Sequence, residues 1–339
     1  MIVHDLVLAT RGKLTGIERF AINTFEAARE DRDDVFALVA NDELLNNKRN
    51  VISVGHGMLS WIRSASRLPY PLTPADSLIC AAFPPSPSML RQDCSFVRVL
   101  HDEFAWTRSA SLSFQGRLMF KHYEQHLLTR YDRIFCPTEP VRRALQGLFP
   151  TRKFMLCGNA PGIQLARTSA RPVAHLVGKP FTLLVGTIEP RKNYERLIRL
   201  AEIAPEKLFV VVGRPGWGGA SALMSAATSN VLWLTDCDDD QVAWLYNACE
   251  LFLSLSHAEG FNMPLVEAGM AGCRILYSDI EVHREVAIAT ARPFATNADD
   301  EEVLEQLISR HERPRADLVE SYKHRFSWGA VAGALQRRG

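Results

Sequence analysis

Short unbroken apolar runs alternate with amphipathic stretches along this chain, and few folds accept that pattern. Runs such as Phe181-Thr-Leu-Leu-Val185 and Leu208-Phe-Val-Val-Val212 lack every-second-residue alternation. A strand with one wet face would show it; strands covered on both faces by helices do not. Such runs predict strands at 2–9, 35–40, 77–82, 96–100, 133–136 and 154–156. A second series falls at 181–185, 208–212, 231–234, 251–254 and 274–277. Helix-like periodicity follows at 16–29, 115–129 and 139–148, then at 193–204, 219–227, 239–248, 264–271 and 301–311. Strand–helix alternation of this kind argues for the α/β class with parallel sheets. A chain of 339 residues suits two such domains. Their boundary falls between Asn159 and Lys179, where glycine and proline interrupt the apolar runs. Residues 44–75 are the hardest to read, with Pro69, Pro71 and Pro74 marking a loop.

Bulk charge excludes little. The formal net charge is +1, so nothing advertises a nucleic-acid binder. The basic excess is local: Arg108 to Lys153 carries nine Lys and Arg against three Asp and Glu. Two readings stay open there, a solvated surface or a patch facing anionic lipid or an anionic acceptor. Seven scattered cysteines with no CxxC pair point to neither a zinc site nor a disulfide framework. A reducing cytosol fits that usage. The first residues lack the basic-then-apolar order of a signal peptide, and no apolar run is long enough to span a bilayer.

Chemistry concentrates in the second half. Ser256-His-Ala-Glu-Gly-Phe-Asn-Met-Pro-Leu-Val-Glu267 follows an apolar run. Pro264 suits the first position of a helix. Glu259 then lies on the loop before that helix, and Glu267 about one turn inside it. Ligands of open α/β sheets bind beyond the carboxyl ends of strands. Free N–H groups at the helix start favour a diphosphate there. Two carboxylates beside an anion site make sense if they hold hydroxyls, which a sugar and a ribose supply. Taken alone, a glutamate near a helix start is a dipole partner and nothing more. It is accompanied by Gly186-Thr-Ile-Glu-Pro-Arg-Lys-Asn193, again at a strand's carboxyl end. Arg191 and Lys192 can neutralise a diphosphate leaving group. A third loop, Gly213-Arg-Pro-Gly-Trp-Gly-Gly219, lacks the spacing of a dinucleotide fingerprint.

These motifs, in this order, resemble the retaining glycosyltransferases of group 1 (family 4), and the mannosyltransferase-like members most. Thr15-Gly-Ile-Glu-Arg-Phe20, Leu100-His-Asp-Glu103, Pro137-Thr-Glu-Pro-Val-Arg142, Asp279-Ile-Glu-Val-His-Arg-Glu285 and Phe326-Ser-Trp328 extend the resemblance over most of the chain. It implies a GT-B fold, two Rossmann-like doubly wound parallel-sheet domains facing a central cleft. Residues 1–165 would form the acceptor side and 166–325 the donor side. Residues 326–339 would form a helix packing back on the first domain. The resemblance also implies roles. Glu267 would hold the ribose hydroxyls, and Glu259 would lie near the donor sugar and its leaving oxygen. Phe261, Asn262 and Met263 would offer backbone to sugar and phosphate. Lys192 and Arg191 would bind the diphosphate, with Gly186, Thr187 and Arg214 nearby. His101 would sit over the donor sugar, and Gly16 would let a loop approach diphosphate or acceptor. This chain departs from the family's pattern at Thr187, where many members have Arg, and at Asn262, where Gly is common.

Other signals are weaker. Asp236-Cys-Asp238 is a DxD, the metal-binding pair of other glycosyltransferases, but Asp238 followed by Gln241 reads better as a helix cap. No nucleophile elbow is present, so hydrolase chemistry is unsupported. The expectation is a cytoplasmic, metal-independent, retaining hexosyltransferase, peripheral at the inner membrane face. It would need no cofactor beyond its co-substrate, a nucleotide-diphosphate sugar, with GDP-mannose the first guess. Expected partners are that donor, a glycan or lipid-linked glycan acceptor and an anionic membrane surface. The rival readings are a nucleotide-sugar epimerase or phosphorylase on the same fold and a catalytically silent nucleotide-sugar-binding subunit.

Overall fold

The computed structural model describes residues 1–10, 14–30, 32–45, 47–109, 114–165 and 171–337. Two compact units emerge, 1–160 together with 327–339, and 161–326. Each is built on one parallel sheet.

In the first unit the strands are β1 (Ile2–Leu6), β2 (Val35–Val39), β3 (Val51–Ser53), β4 (Ser77–Cys80), β5 (Ser95–Val99), β6 (Arg133–Cys136) and β7 (Phe154–Leu156), in the spatial order β3-β2-β1-β4-β5-β6-β7. In the second they are β8 (Thr182–Val185), β9 (Phe209–Val212), β10 (Val231–Leu234), β11 (Leu251–Ser254), β12 (Ile275–Ser278) and β13 (Arg292–Phe294), in the order β10-β9-β8-β11-β12-β13. Both orders reverse once, between β1 and β4 and between β8 and β11. That reversal defines a doubly wound sheet. Strands β1, β4, β9, β11 and β12 are buried at every residue, which is why their sequences show no alternation.

Helices of the first unit are α1 (Gly16–Ala28), α2 (Met58–Ile62), α3 (Phe104–Thr107), α4 (Phe114–Gly116), α5 (Glu124–Leu127) and α6 (Glu139–Leu148). The second unit has α7 (Tyr194–Ile203), α8 (Ala220–Ala226), α9 (Asp239–Ala248), α10 (Met263–Met270), α11 (Glu281–Val286), α12 (Asp300–Ile308) and α13 (Ala316–Arg325). The last, α14 (Trp328–Gln336), belongs to the first unit, where Trp328 packs edge-on to Phe20 of α1 at 5.5 Å. Ser327 caps α14 by accepting from the Ala330 N–H at 3.2 Å. Among the described residues no helix is long and apolar enough to cross a membrane.

The single helix expected at 115–129 is divided. Between α4 and α5 the backbone is π-helical over Arg117–Tyr123. The inner side of this segment is polar. Glu124 is buried against Arg98, with Arg98 Nη2 donating to its Oε2 at 2.7 Å, and Tyr131 donating to its Oε1 at 2.7 Å. Strands β3 and β13, absent from the sequence expectation, are short and lie at sheet edges.

Candidate active site

The reversal between β8 and β11 brings two loops to one place, 186–193 after β8 and 255–262 after β11. Their charged side chains meet. Arg191 Nη1 donates to the Glu259 carboxylate, and its Nη2 lies 2.5 Å from Glu189 Oε1. Lys192 Nζ lies 2.6 Å from Glu259 Oε1, and Ser256 Oγ donates to the same oxygen at 2.7 Å. The His257 N–H donates to the Arg191 carbonyl at 2.8 Å, so the backbones are tied as well. Glu189, Lys192 and Glu259 are buried. Burial alone would raise the Glu259 pKa, but Arg191 and Lys192 outweigh it and hold the carboxyl well below the usual range. At Glu189 burial wins over Arg191 and Lys192, and its pKa is raised. Two carboxylates and two cations thus form a compact, formally neutral quartet.

The glycine loop after β9 leans on this structure. Ile188 donates its N–H to the Arg214 carbonyl at 2.9 Å, and Gly216 returns one to Ile188 at 3.0 Å. A Cβ on Gly213 would overlap the Gly186 carbonyl, so that glycine is required by close approach of two backbones. Thr187 is half-buried and Arg214 exposed. Tyr194 donates its hydroxyl to the Gly186 carbonyl at 2.9 Å.

Helix α10 starts from Asn262, at φ 69°. Pro264 is its second residue, one later than the sequence suggests, and still lacks only an N–H that no helix partner would take. Asn262 Nδ2 donates to Ser254 Oγ at 3.0 Å and contacts His283 Nε2 at 2.8 Å. An amide N–H cannot accept, so Nε2 carries no proton. Nδ1 does, and donates to the Ser278 carbonyl at 2.8 Å. Burial lowers the His283 pKa to about 4, opposed by Glu259 and the Ser278 carbonyl. One turn into α10, Glu267 accepts from the Gly162 N–H and the Tyr246 hydroxyl, each at 2.8 Å. Met263 is buried, and the Phe261 ring turns into the core edge-on to Phe326 at 5.6 Å.

His101 and Gly16 belong to the first unit. His101 follows β5, and its Nε2 lies 2.7 Å from the Ala81 carbonyl at the end of β4. A carbonyl only accepts, so Nε2 bears the proton. Burial lowers this histidine's pKa to about 4, so near neutral pH it is uncharged with Nδ1 as acceptor. Its ring stacks edge-on to Phe20 at 4.7 Å. Gly16 is the exposed first residue of α1, beside the β1–β4 reversal.

Comparison with known proteins bears on the second unit first. Residues 167–324 match the family model described as "Glycosyl transferases group 1". The second unit is a group 1 glycosyltransferase domain. The serotype-specific mannosyltransferase WbdA of Escherichia coli is 27% identical over 179 residues, covering 48% of this chain but 22% of WbdA. The O-antigen chain mannosyltransferase B of the same organism is 27% identical over 144 residues, 39% of this chain and 38% of that protein. The chain therefore spans well under half the length of these relatives. Both sheets match GT-B glycosyltransferase structures. WaaG, a glycosyltransferase involved in lipopolysaccharide biosynthesis, superposes with a TM-score of 0.64 at 18% identity, covering 98% of this chain and 94% of WaaG. Sucrose-phosphate synthase from Thermosynechococcus elongatus superposes at 0.72 and 14% identity, covering 98% and 96%.

Within the group 1 domain, the unusual residue Asn262 has a physical explanation. Its position demands a left-handed backbone, which asparagine tolerates better than other side-chain-bearing residues. Asparagine keeps the conformation glycine would give and adds hydrogen bonds to Ser254 and His283. The charge missing at Thr187 has a neighbour in Arg191, a member of the quartet four residues on. The domain also holds residues that sequence reasoning did not single out: Glu189, Ser256, Tyr246, His283 and the Gly162 N–H. Glu189 lay inside a quoted motif. Tyr246, by contrast, sits 21 residues before its partner Glu267 with no pattern to flag it. Asp238 of the DxD caps α9, accepting from the Gln241 N–H at 2.9 Å, and pairs with Arg171. Among the described residues no cluster of three or more His, Cys, Asp or Glu has the arrangement of a metal site.

Proposed function

We propose that this chain transfers a hexose from a nucleotide-diphosphate sugar to a sugar or lipid-linked sugar acceptor in surface-glycan assembly. Mannose from GDP-mannose is the first candidate, supported by the mannosyltransferase relatives. The proposal includes retention of configuration, no metal requirement, and work in the cytoplasm at an anionic membrane surface.

The observation that carries it is the quartet at the β8–β11 reversal, one turn of α10 away from a buried carboxylate held by Tyr246 and Gly162. Lys192 has three N–H donors and Glu259 engages one, so donors remain for phosphate oxygens. Glu259 and Glu189 orient the two cations before any ligand arrives, which lowers the reorganisation needed on binding. In this reading Glu267 takes the ribose hydroxyls and Glu259 the donor sugar. A carboxylate held so firmly ionised is a poor proton carrier near neutral pH. The departing diphosphate oxygen, stabilised by Arg191, Lys192 and the start of α10, therefore takes the acceptor's proton as the new glycosidic bond forms on the same face. His101, uncharged, offers Nδ1 to a sugar hydroxyl.

A thermal-shift panel with GDP, UDP, ADP, dTDP and CDP, with and without EDTA, tests this. A donor nucleotide at 100 times its Kd should stabilise by about 2.7 kcal/mol. A shift with GDP that survives EDTA is expected. No shift with any nucleotide overturns the donor site, and a shift that EDTA abolishes overturns metal independence.

A further inference from the structure

Next to the quartet the group 1 domain holds a buried polar network that the proposed transfer does not use. Ser254 ends β11 and Ser256 follows it, Ser278 ends β12, Asn262 opens α10, and His283 lies in α11. All five are buried, His283 completely. The His283 Nδ1–H donates to the Ser278 carbonyl at 2.8 Å, and Nε2 accepts from Asn262 Nδ2 at 2.8 Å. The same amide nitrogen donates to Ser254 Oγ at 3.0 Å. Ser278 Oγ donates to the Ser256 carbonyl at 2.5 Å, and Ser256 Oγ donates to Glu259. Both ring nitrogens are satisfied with the imidazole neutral, and burial keeps it neutral by lowering its pKa to about 4.

A histidine satisfied in this way can be a core residue and nothing more. Here the turn it serves would form without it. Glycine takes the left-handed conformation of residue 262, φ 69°, with no side-chain partner at all. Asparagine and histidine therefore add restraint to a conformation already available, at the cost of taking an amide and an imidazole out of water. The point they restrain is the entry to α10. The Leu265 and Val266 N–H groups close on the Asn262 carbonyl, so this residue sets both the direction of the turn and the first hydrogen bonds of the helix. A left-handed residue followed by right-handed ones turns successive N–H groups towards one point, which suits an anion.

We infer that His283 is a positioning residue of the proposed donor site, acting through the Asn262 amide to hold the turn whose N–H groups receive the donor's diphosphate. This rests on the donor-site reading above. The imidazole touches no ligand in this role. Its Nε2 holds the amide from one side and Ser254 from the other, so the backbone at 262 is set before a nucleotide arrives. Ordering in advance removes that cost from binding. The two nitrogens divide the work: Nδ1 ties α11 to the end of β12, and Nε2 serves the turn.

Two substitutions separate these arms. Counted in bonds from Cβ, an asparagine amide reaches the place of Nδ1 and a glutamine amide the place of Nε2. His283→Asn keeps a donor for the Ser278 carbonyl and loses the acceptor for Asn262, whereas His283→Gln keeps that acceptor. Calorimetric titration of the full chain with GDP, or with whichever diphosphate of the panel shifts the wild type most, reads the result. Affinity should be about fivefold weaker in His283→Asn, the scale of one hydrogen bond. His283→Gln should stay within about twofold of the wild type. Asn262→Gly, which takes the turn freely, should lose about the same fivefold, and adding His283→Asn to it should change nothing more. A purely structural histidine would lower the melting temperature in both histidine variants and leave their affinities alike. Equal affinities in His283→Asn and His283→Gln therefore overturn the inference. So does unchanged affinity in Asn262→Gly, or a further loss when His283→Asn is added to it. Those outcomes leave the donor-site reading standing, because the wild type still binds; a wild type that binds none of the five diphosphates overturns the donor site and this inference together. Should His283→Asn fail to fold, Asn262→Gly decides by itself.

Discussion

Glu259 is buried yet ionised because the buried Lys192 and the half-buried Arg191 pair with it. Removing one partner of such a set leaves an uncompensated charge, which costs about 3–5 kcal/mol in other proteins. Lys192→Ala should therefore lower stability as well as turnover, the latter by at least about tenfold. Tyr246→Phe is the cleaner probe of the site. It deletes one donor to Glu267, and nucleotide affinity measured by titration should fall several-fold, on the scale of about 1 kcal/mol for a hydrogen bond, with the quartet intact. Unchanged affinity would remove Glu267 from the nucleotide site. Three histidines shielded from water contribute to the acid limb of stability. His4, His101 and His283 have pKa values lowered to about 3, 4 and 4, chiefly by burial. Unfolded, each would titrate near 6.5, so the unfolded chain binds more protons below that pH. Their contribution is complete above about pH 6.5 and is lost as pH falls towards 4. Asp5 works in the other direction. Burial raises its pKa to about 7, so stability is lost as pH rises from its unfolded value to about 7. Melting temperatures across this range should show Asp5→Asn gaining relative to wild type at pH 8 and not at pH 4. These histidines and Asp5 are plain letters in the sequence; only the packing around them makes them titrate abnormally.

Among the elements, the loops at the β8–β11 reversal hold each other in place. The Gly186 and Gly213 backbones touch, Ile188 bridges to the glycine loop, and the Arg191 carbonyl is tied to His257. The start of α10 depends on one left-handed residue. Asn262→Gly should keep the turn and lose only the side-chain bonds, whereas Asn262→Ala adds a backbone cost of about 1–2 kcal/mol. Thermal unfolding should rank asparagine first, glycine second and alanine last; alanine above glycine would refute the strain argument. Fully buried strands were legible in the sequence because burial on both faces leaves unbroken apolar runs; most of the longer helices were read too, but not α13, and the helix expected at 115–129 is divided. Two of the four edge strands, β3 and β13, were not legible. β3 is only half-buried, and β13 is Arg292-Pro-Phe with a single buried residue, so neither leaves a run to read. Proline is tolerated there because an edge leaves its missing N–H without a required partner.

At the scale of the whole molecule, the chain's last described helix completes its first unit. Leu335 is fully buried, and Arg133 donates to its carbonyl. Leu335→Ala should cost about 2–5 kcal/mol, read as a fall in the melting temperature. The nucleotide-induced shift should persist, since the proposed donor residues of the quartet and α10 lie in 161–326. The sequence by itself determined the class of the fold and the positions of most strands, because periodicity is local and burial writes it residue by residue. It also marked Glu259, Glu267, Arg191 and Lys192, since each lies in a short run at a strand's carboxyl end. Only the tertiary structure decided the strand orders, the neutral quartet, the Tyr246–Glu267 and Asn262–His283 bonds, and which basic residues face outward. Those depend on pairings between segments far apart in the chain, and no local pattern records which distant side chain will neutralise a charge or take a proton.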